Sequence, residues 1–312
     1  MTALSPLPGP ILITGAGGFV GRHVIAALTT ASPQTDIIRS SANITDAEAV
    51  RVLIESARPA CCLHLAAIAA IGVAGAEPDR AWAVNLHGTL NLAAAIREFA
   101  PSCRLIFVSS ADIYGASFRS GEALDEQALL APLNTYGATK AAADLALGAM
   151  AAAENLNVLR LRAFNHTGPG QSEHFAVPAF ARQIALAEAG LAEPVIRVGA
   201  LTPERDFLDV RDIAQAYVAA IARAHTLPNG AILNIASGTP RKIGDALTAL
   251  LALAKIDMRV EEDQARLRAS DIPRAIGNAT QARQLLNWHP AIPWEQTIVD
   301  VLNDWRTRIR AT

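Results

Sequence analysis

Thr14-Gly15-Ala16-Gly17-Gly18-Phe19-Val20-Gly21 is the stretch that decides how the rest of the chain is read. It follows the apolar run Ile11-Leu12-Ile13 and opens a helical pattern from about Val20 to Thr30, so it lies in a strand–turn–helix context. Glycines at 15, 18 and 21 permit a tight turn, close approach of a pyrophosphate to the backbone, and close packing of the helix on the sheet. The exposed N–H groups and the positive end of the helix dipole then favour phosphate. The stretch predicts a dinucleotide site that brings Gly15, Gly18, Phe19, Val20 and Gly21 against the cofactor.

Outward from this turn, short apolar runs alternate with longer helical patterns. Asp36 to Arg39 reads as a second strand, Asp46 to Ala57 as a helix and Cys61 to Leu65 as a strand. A helix from about Pro78 to Phe99 precedes a strand from Arg104 to Val108. The helix Tyr136 to Ala153 then leads to the strand Val158 to Leu161. Strands alternating with helices predict a parallel sheet covered on both faces, an α/β fold of the Rossmann-type, doubly wound kind. Ile232 to Ile235 reads as one more strand of that sheet. Pro- and Gly-containing stretches at 165–172, 199–205 and 237–244 read as loops of a smaller C-terminal α/β lobe over the carboxyl ends of the strands. The expected division is 1–165 plus about 206–238 for the dinucleotide lobe. About 166–205 plus 239–312 would then form the substrate lobe.

With 312 residues, 51% of them hydrophobic, the chain can bury a large core, yet no run approaches the ~18 apolar residues of a membrane span. The segment Met1 to Pro10 carries no basic residue, unlike a signal peptide. A formal net charge of -2 with no Lys/Arg block argues against nucleic acid. Cys61, Cys62 and Cys103 are too few and too apolar in context for a disulfide framework, and read as buried thiols. The seven histidines show no metal-ligand spacing. The expectation is a soluble, cytoplasmic protein without a metal, a membrane or a nucleic-acid partner.

Two further features carry chemistry. An acidic residue at the end of the second strand would bind a ribose 2′-hydroxyl, whereas an arginine accommodates a 2′-phosphate. Asp36 stands at the start of that strand, while Arg39, followed by Ser40 and Ser41, stands at its end, which favours NADP(H) over NAD(H). Tyr136 and Lys140 are spaced to share one helical face. An ammonium beside a phenol holds it below its usual pKa of about 10, giving a proton donor and acceptor near neutral pH.

The strand from Arg104 runs into Ser109-Ser110-Ala111-Asp112-Ile113-Tyr114-Gly115, where a hydroxyl would face the same site. With the glycine turn and the Tyr/Lys pair, this resembles the extended short-chain dehydrogenase/reductase family, in its nucleotide-sugar (NAD-dependent epimerase/dehydratase) branch. His64-Leu65-Ala66-Ala67 resembles the family's segment beside the cofactor, and Asn85-Leu86-His87-Gly88-Thr89 its central helix. Arg205-Asp206-Phe207-Leu208-Asp209-Val210-Arg211-Asp212 is similar to its substrate-lobe signature, and Asn287-Trp288-His289-Pro290 to its closing motif. The resemblance implies Tyr136 as general acid/base, Lys140 as its tuner and holder of the nicotinamide ribose, and Ser110 as the hydroxyl that binds the reacting carbonyl. It also implies cofactor contacts at Leu65, Ala66 and Ala67, with Asn43 and Ile44 after the second strand.

Asn165-His166-Thr167-Gly168-Pro169-Gly170-Gln171, followed by Phe175 to Pro178, resembles the enzymes of GDP-6-deoxy-hexoses, the GDP-mannose 4,6-dehydratases and, more closely, the GDP-4-keto-6-deoxy-mannose reductases. By that resemblance Asn165 and Val177 line the substrate site, and Arg205 and Arg268 bind the diphosphate of a GDP-linked 4-keto-6-deoxy sugar. Asp112 stands where the dehydratases carry an acid that is usually Glu. Being one methylene shorter and preceded by Ala111, it favours reduction over dehydration. The apolar run Ile68 to Val73 weighs against 4-epimerase and dehydratase alike. A non-catalytic cofactor-binding sensor would be expected to lack Tyr136 or Lys140. The alanine-rich helix Tyr136 to Ala153 allows close helix approach, and the resemblance implies a homodimer built on the two central helices.

Overall fold

In a computed structural model, residues 7–264 and 272–311 are described. The glycine turn joins strand β1 (Ile11–Thr14) to helix α1 (Phe19–Ala31), and the alternation continues through β2 (Ile37–Ser40), α2 (Ala47–Ala57) and β3 (Cys61–His64). Short helices α3 (Ile71–Ala76) and α4 (Pro78–Trp82) lead through a π-helical turn, Ala83–Gly88, into α5 (Thr89–Phe99) and β4 (Arg104–Ser110). Helix α6 (Thr135–Ala153) precedes β5 (Val158–Ala163), and after an excursion the chain returns through β8 (Glu204–Asp209), α8 (Val210–Ala222) and β9 (Ile232–Ile235). The six-stranded sheet runs β2-β1-β3-β4-β5-β9, every pair parallel. Its order reverses beside β1, and an open α/β sheet binds ligands in the crevice beyond the carboxyl ends at such a switch point.

Each strand divides its side chains between two cores, because successive residues point to opposite faces. Ile11, Ile13, Cys61, Leu63, Ile106, Leu159 and Leu161 pack with α1 and α8. Leu12, Cys62, Leu105, Phe107 and Val158 pack with α2, α5 and α6. Burial on both faces is why these strands read as unbroken apolar runs. The three cysteines are free and buried, and burial pushes their thiols up, that of Cys103 to about 12.

The excursion and the C-terminal segment build a third core from α7 (Ala176–Glu188), β7 (Val195–Val198), α9 (Ile243–Ala252) and α11 (Trp294–Arg310). Here β7 pairs with β11 (Arg259–Glu262), while β8 carries β6 (Asn165–Thr167), β10 (Pro240–Lys242) and β12 (Arg274–Ala275). Helix α10 (Thr280–Leu286) packs on β9. Two buried carboxylates fasten this part to the sheet. Asp206 accepts from the backbone N–H groups of Ser237, Gly238 and Gly277, and Asp212 from those of Ala291 and Ile292. Among the described residues no helix is long and apolar enough to cross a membrane.

The segment 78–99 is helical throughout as expected, with a π-helical turn at Ala83–Gly88, where the Thr89 hydroxyl bonds the Asn85 carbonyl. Strands β4 and β5 run two residues further than expected, through Ser109-Ser110 and Arg162-Ala163, all four of them buried.

Candidate active site

The glycine turn fits a dinucleotide by its steric emptiness. Gly15 has φ 70°, and a Cβ there would lie 2.7 Å from the Ala66 nitrogen; one on Gly21 would lie 2.5 Å from the Gly15 oxygen. Only glycine allows that conformation and that approach. Segment 65–67 is drawn against the turn, since Leu65 N–H bonds the Thr14 carbonyl (3.2 Å) and Ala66 N–H its hydroxyl (3.3 Å). Gly18 is the N-cap of α1 and supplies no side-chain acceptor, so the N–H groups around Phe19 and Val20 remain suited to an anion.

Beyond the turn, Ala16, Gly17, Arg22, Ile25, Arg39, Ser40 and Ser41 line a cleft of about 380 Å³. Arg39 therefore reaches the crevice, while Asp36 precedes β2 at the opposite end. Arg22 was absent from the sequence expectation, and its Nη1 donates to the Gly17 carbonyl at 2.9 Å. The loop with Asn43 and Ile44 borders α5, where Asn91 Nδ2 bonds the Ile44 carbonyl (3.1 Å); Ile44 itself is buried.

Behind the turn runs a buried polar chain. Thr89 donates to the Asn85 carbonyl and so accepts from His64 Nε2–H (2.9 Å), leaving His64 Nδ1 to accept the Thr14 hydroxyl (2.6 Å). The imidazole is thereby fixed as the neutral Nε2–H form. Burial, with Lys140 nearby, pulls its pKa down to about 3. Asn85 holds both backbone groups of Ile68 and donates to the Thr139 hydroxyl (3.0 Å), tying the π-helical turn to α6.

Ser110 ends β4 and Tyr136 begins α6, so sheet and helix bring them together. Ser110 Oγ accepts from Asp112 N–H (3.1 Å), donates to Asp112 Oδ2 (3.3 Å), and lies within interaction range of the Tyr136 phenol. Asn134 caps α6 by accepting from Gly137 N–H at 2.8 Å, and its side chain also bonds Asp112. Lys140 follows one turn on, its Nζ 4.1 Å from the centroid of the Phe107 ring.

The electrostatics reverse one expectation. Tyr136 is not lowered; desolvation first, and then the Asp112 charge, push its phenol above its ordinary value, with only the Ser110 hydroxyl opposing. Lys140 is the group that moves toward neutrality, drawn down to about 7 by desolvation against the pull of Asp144. Desolvation also raises Asp112, opposed by Ser110, Arg205 and Asn134. Helical spacing placed the pair on one face, but tertiary burial decides which charge is disfavoured.

Of the expected substrate residues, Arg205 lies within electrostatic reach of Asp112, and Asn165 is exposed opposite Phe207 in the β6–β8 register. The Val177 side chain is 1% exposed inside the third core, which leaves its backbone in the first turn of α7 as the part able to face a ligand. Arg268 lies outside the described residues. The loop after Asn165 is seated on α1, its His166 ring stacked on Phe19 (6.2 Å, 9°), with Pro169 and Gly170 carbonyls held by His23 and Arg22. The glycine turn and the loop after Asn165 thus share one helix, a link that no sequence motif announced.

A model of the NAD dependent epimerase/dehydratase family matches residues 11–236. Over 302 residues the chain is 31% identical to GDP-6-deoxy-D-mannose reductase of Pseudomonas aeruginosa, covering 96% of this chain and 98% of that one. It is 25% identical to GDP-6-deoxy-D-talose 4-dehydrogenase of Aggregatibacter actinomycetemcomitans, covering 88% and 90%. The solved structure of RMD from Pseudomonas aeruginosa complexed with NADPH superposes with a TM-score of 0.87 at 30% identity, over 96% of this chain and 100% of that one.

Proposed function

The chain belongs to the NAD dependent epimerase/dehydratase family, and from that premise we propose that it reduces the C4 keto group of a GDP-4-keto-6-deoxy-hexose with NADPH. The product is a GDP-6-deoxy-hexose, GDP-D-rhamnose or its talose epimer. The observation that supports this reading is that Ser110 comes beside Tyr136, one turn before Lys140, on the same parallel sheet whose β1 ends in a glycine turn shaped for a dinucleotide. NADPH, when bound, supplies the hydride.

The residues of the chain then do the rest. Ser110 donates a hydrogen bond to the keto oxygen, and Tyr136 gives it a proton as negative charge develops there. Reduction needs that group to arrive protonated, and a phenol held above its ordinary value is protonated at neutral pH. Lys140, with a pKa of about 7, exchanges protons readily in the same range one turn away. The preference for NADP(H) rests on Arg39, Ser40 and Ser41 at the crevice, joined by Arg22, where a 2′-phosphate would find cations. Arg205 and Arg268 bind the diphosphate in this reading, and Asn165 lies beside the sugar. The lobes are assigned as 1–165 with 206–238 and 166–205 with 239–312. A homodimer forms through the stripe of α6 in which Leu145 and Ala149 are exposed and Ala142 and Ala146 half-buried, together with α5.

One observation favours a second reading, 4,6-dehydration: Asp112, a carboxyl raised by burial, stands beside Ser110 and Tyr136 as an acid–base group. One assay separates the two. NADPH oxidation by the GDP-4-keto-6-deoxy sugar, faster than NADH oxidation, is expected of the reductase. Tyr136→Phe should lower it about 10²–10⁴-fold. Conversion of GDP-mannose to the keto sugar without net cofactor oxidation would establish dehydration instead, and full turnover by Tyr136→Phe would remove Tyr136 as the proton donor.

A further inference from the structure

Strand β10 lies antiparallel to β8 with Arg241 directly opposite Arg205 and Lys242 opposite Glu204. Residues directly opposite one another in an antiparallel pair project from the same face, and like charges so placed repel. The two faces of this ribbon therefore differ. On one, Lys242 meets Glu204, which also pairs with Arg274 at 3.3 Å. On the other lie Arg241 and Arg205, the latter with its Nη1 donating to the Glu204 (2.8 Å) and Ile272 (3.2 Å) carbonyls.

That second face is built for something negative. Arg205 lies within reach of the Asp112 charge, so the face opens toward Ser110 and Tyr136. Arg241 rests over Trp294, its guanidinium carbon 5.0 Å from the ring centroid, and Trp294 stacks on Phe207 (5.4 Å, 29°). Phe207 is two residues along β8 from Arg205, on the same face, and Asn165 pairs opposite it on the other side. A planar cation stacked on an aromatic ring is held flat, with its N–H edge free to donate. The Arg241 Nε is buried with no hydrogen-bond partner among the described residues. An unpaired buried donor is costly unless a ligand satisfies it.

We propose that Arg241, stacked on Trp294, joins Arg205 to form a two-arginine clamp for the diphosphate of the nucleotide sugar. This rests on the reading of the substrate as a nucleoside diphosphate sugar, and adds to it a residue that no motif marks. Bidentate N–H pairs from two strands hold the diphosphate at a fixed distance from Ser110 and Tyr136, so the clamp sets how far the sugar carbonyl reaches.

Calorimetric titration with GDP, UDP and inorganic pyrophosphate tests this, with NADPH binding followed in the same samples. Arg241→Gln should weaken all three anions about tenfold to a hundredfold while NADPH binds as in the unaltered protein. Arg241→Lys keeps the charge and the stem but not the fork, and should lose about threefold or more. It carries the test if the glutamine variant does not fold. Unaltered pyrophosphate and GDP affinity in these variants would overturn the clamp, as would an unaltered protein that binds neither. Loss of GDP binding alone, with pyrophosphate and UDP unaffected, would also overturn it, by moving Arg241 to the base. NADPH oxidation with the keto sugar is measured in parallel. Weakened anion binding in the variants, with no turnover by the unaltered protein, would sink the reductase and leave the clamp standing.

Discussion

Lys140 and Asp144 sit one turn apart on α6, both buried, and the fold treats them in opposite ways. Asp144 accepts from Arg160 Nη1 (3.1 Å), Arg162 Nε (3.2 Å) and Arg162 Nη2 (3.0 Å). Arg162 reaches on to the Tyr114 hydroxyl and the Glu126 carbonyl, and Tyr114 to Asn234. This half of the helix is anchored in a network in which the carboxylate has direct counter-charges. Lys140 has the face of Phe107 and the more distant attraction of Asp144, and its pKa falls to about 7. The contrast shows where the fold accepts electrostatic cost. Among the described residues, Arg104, Asp206 and Asp212 are also buried without an ion pair, but backbone groups satisfy them; Lys140 keeps a buried amine that gains or loses a proton near neutrality.

The largest effect that can break this contrast is expected at the matched end. Asp144→Ala leaves two guanidinium groups buried without their carboxylate, and removing one partner of a buried pair costs about 3–5 kcal/mol. Urea unfolding monitored by fluorescence should show that loss in the midpoint. A loss below about 1 kcal/mol would mean that the Arg162 network is satisfied without Asp144, and the two turns would not differ as described.

Lys140→Met is expected to abolish turnover yet leave a fold at least as stable at pH 7, because it removes a desolvated amine and keeps its bulk. Stability against pH provides the signature. The folded amine titrates at about 7 and the unfolded one near 10.5, so the unfolded chain binds the extra proton between those values. The native protein therefore gains stability as pH rises through that window, and below 7 carries the full penalty. The advantage of the methionine variant should shrink by on the order of 3 kcal/mol between pH 7 and 9.5. Parallel curves for the two proteins would show that Lys140 is solvated or paired in solution.

The same contrast explains what could be read from the sequence. Ile11 to Ile13 and Cys61 to Leu65 announce strands because both faces are buried, and the glycine turn announces itself because Gly15 and Gly21 have no room for a Cβ. Ser110, Tyr136 and Lys140 were legible through spacing and family resemblance, but the direction of the Tyr136 shift was not. It depends on Asp112 and on walls contributed by distant segments. The strands of the smaller lobe escaped notice because β8 (Glu-Arg-Asp-Phe-Leu-Asp) and β10 (Pro-Arg-Lys) have no apolar alternation. Their residues are chosen for ion pairs, caps and cleft walls. Arg241 and Trp294 are 53 positions apart in the chain and become neighbours only when α11 docks against β10.

The smallest effect concerns a buried group that the fold satisfies in its neutral form alone. His64 accepts from Thr14 and donates to Thr89, and Thr89 has already committed its proton to the Asn85 carbonyl. A second ring proton would face the Thr14 hydroxyl, which would have to turn its own proton away from Nδ1. With a folded pKa of about 3 and an unfolded value of 6.5, the unfolded chain binds the extra proton between them. Stability is therefore lost as pH falls below 6.5, and nothing is lost above it. His64→Gln removes the titration, so the native protein should lose about 1 kcal/mol relative to the variant between pH 6.5 and 5.5. Nitrogen chemical shifts of the imidazole should report the Nε2–H form throughout that range. If instead the two stability curves stay parallel while the ring protonates near pH 6, the Thr14 hydroxyl reorients at little cost. The polar chain behind the glycine turn would then be a flexible contact rather than a fixed one.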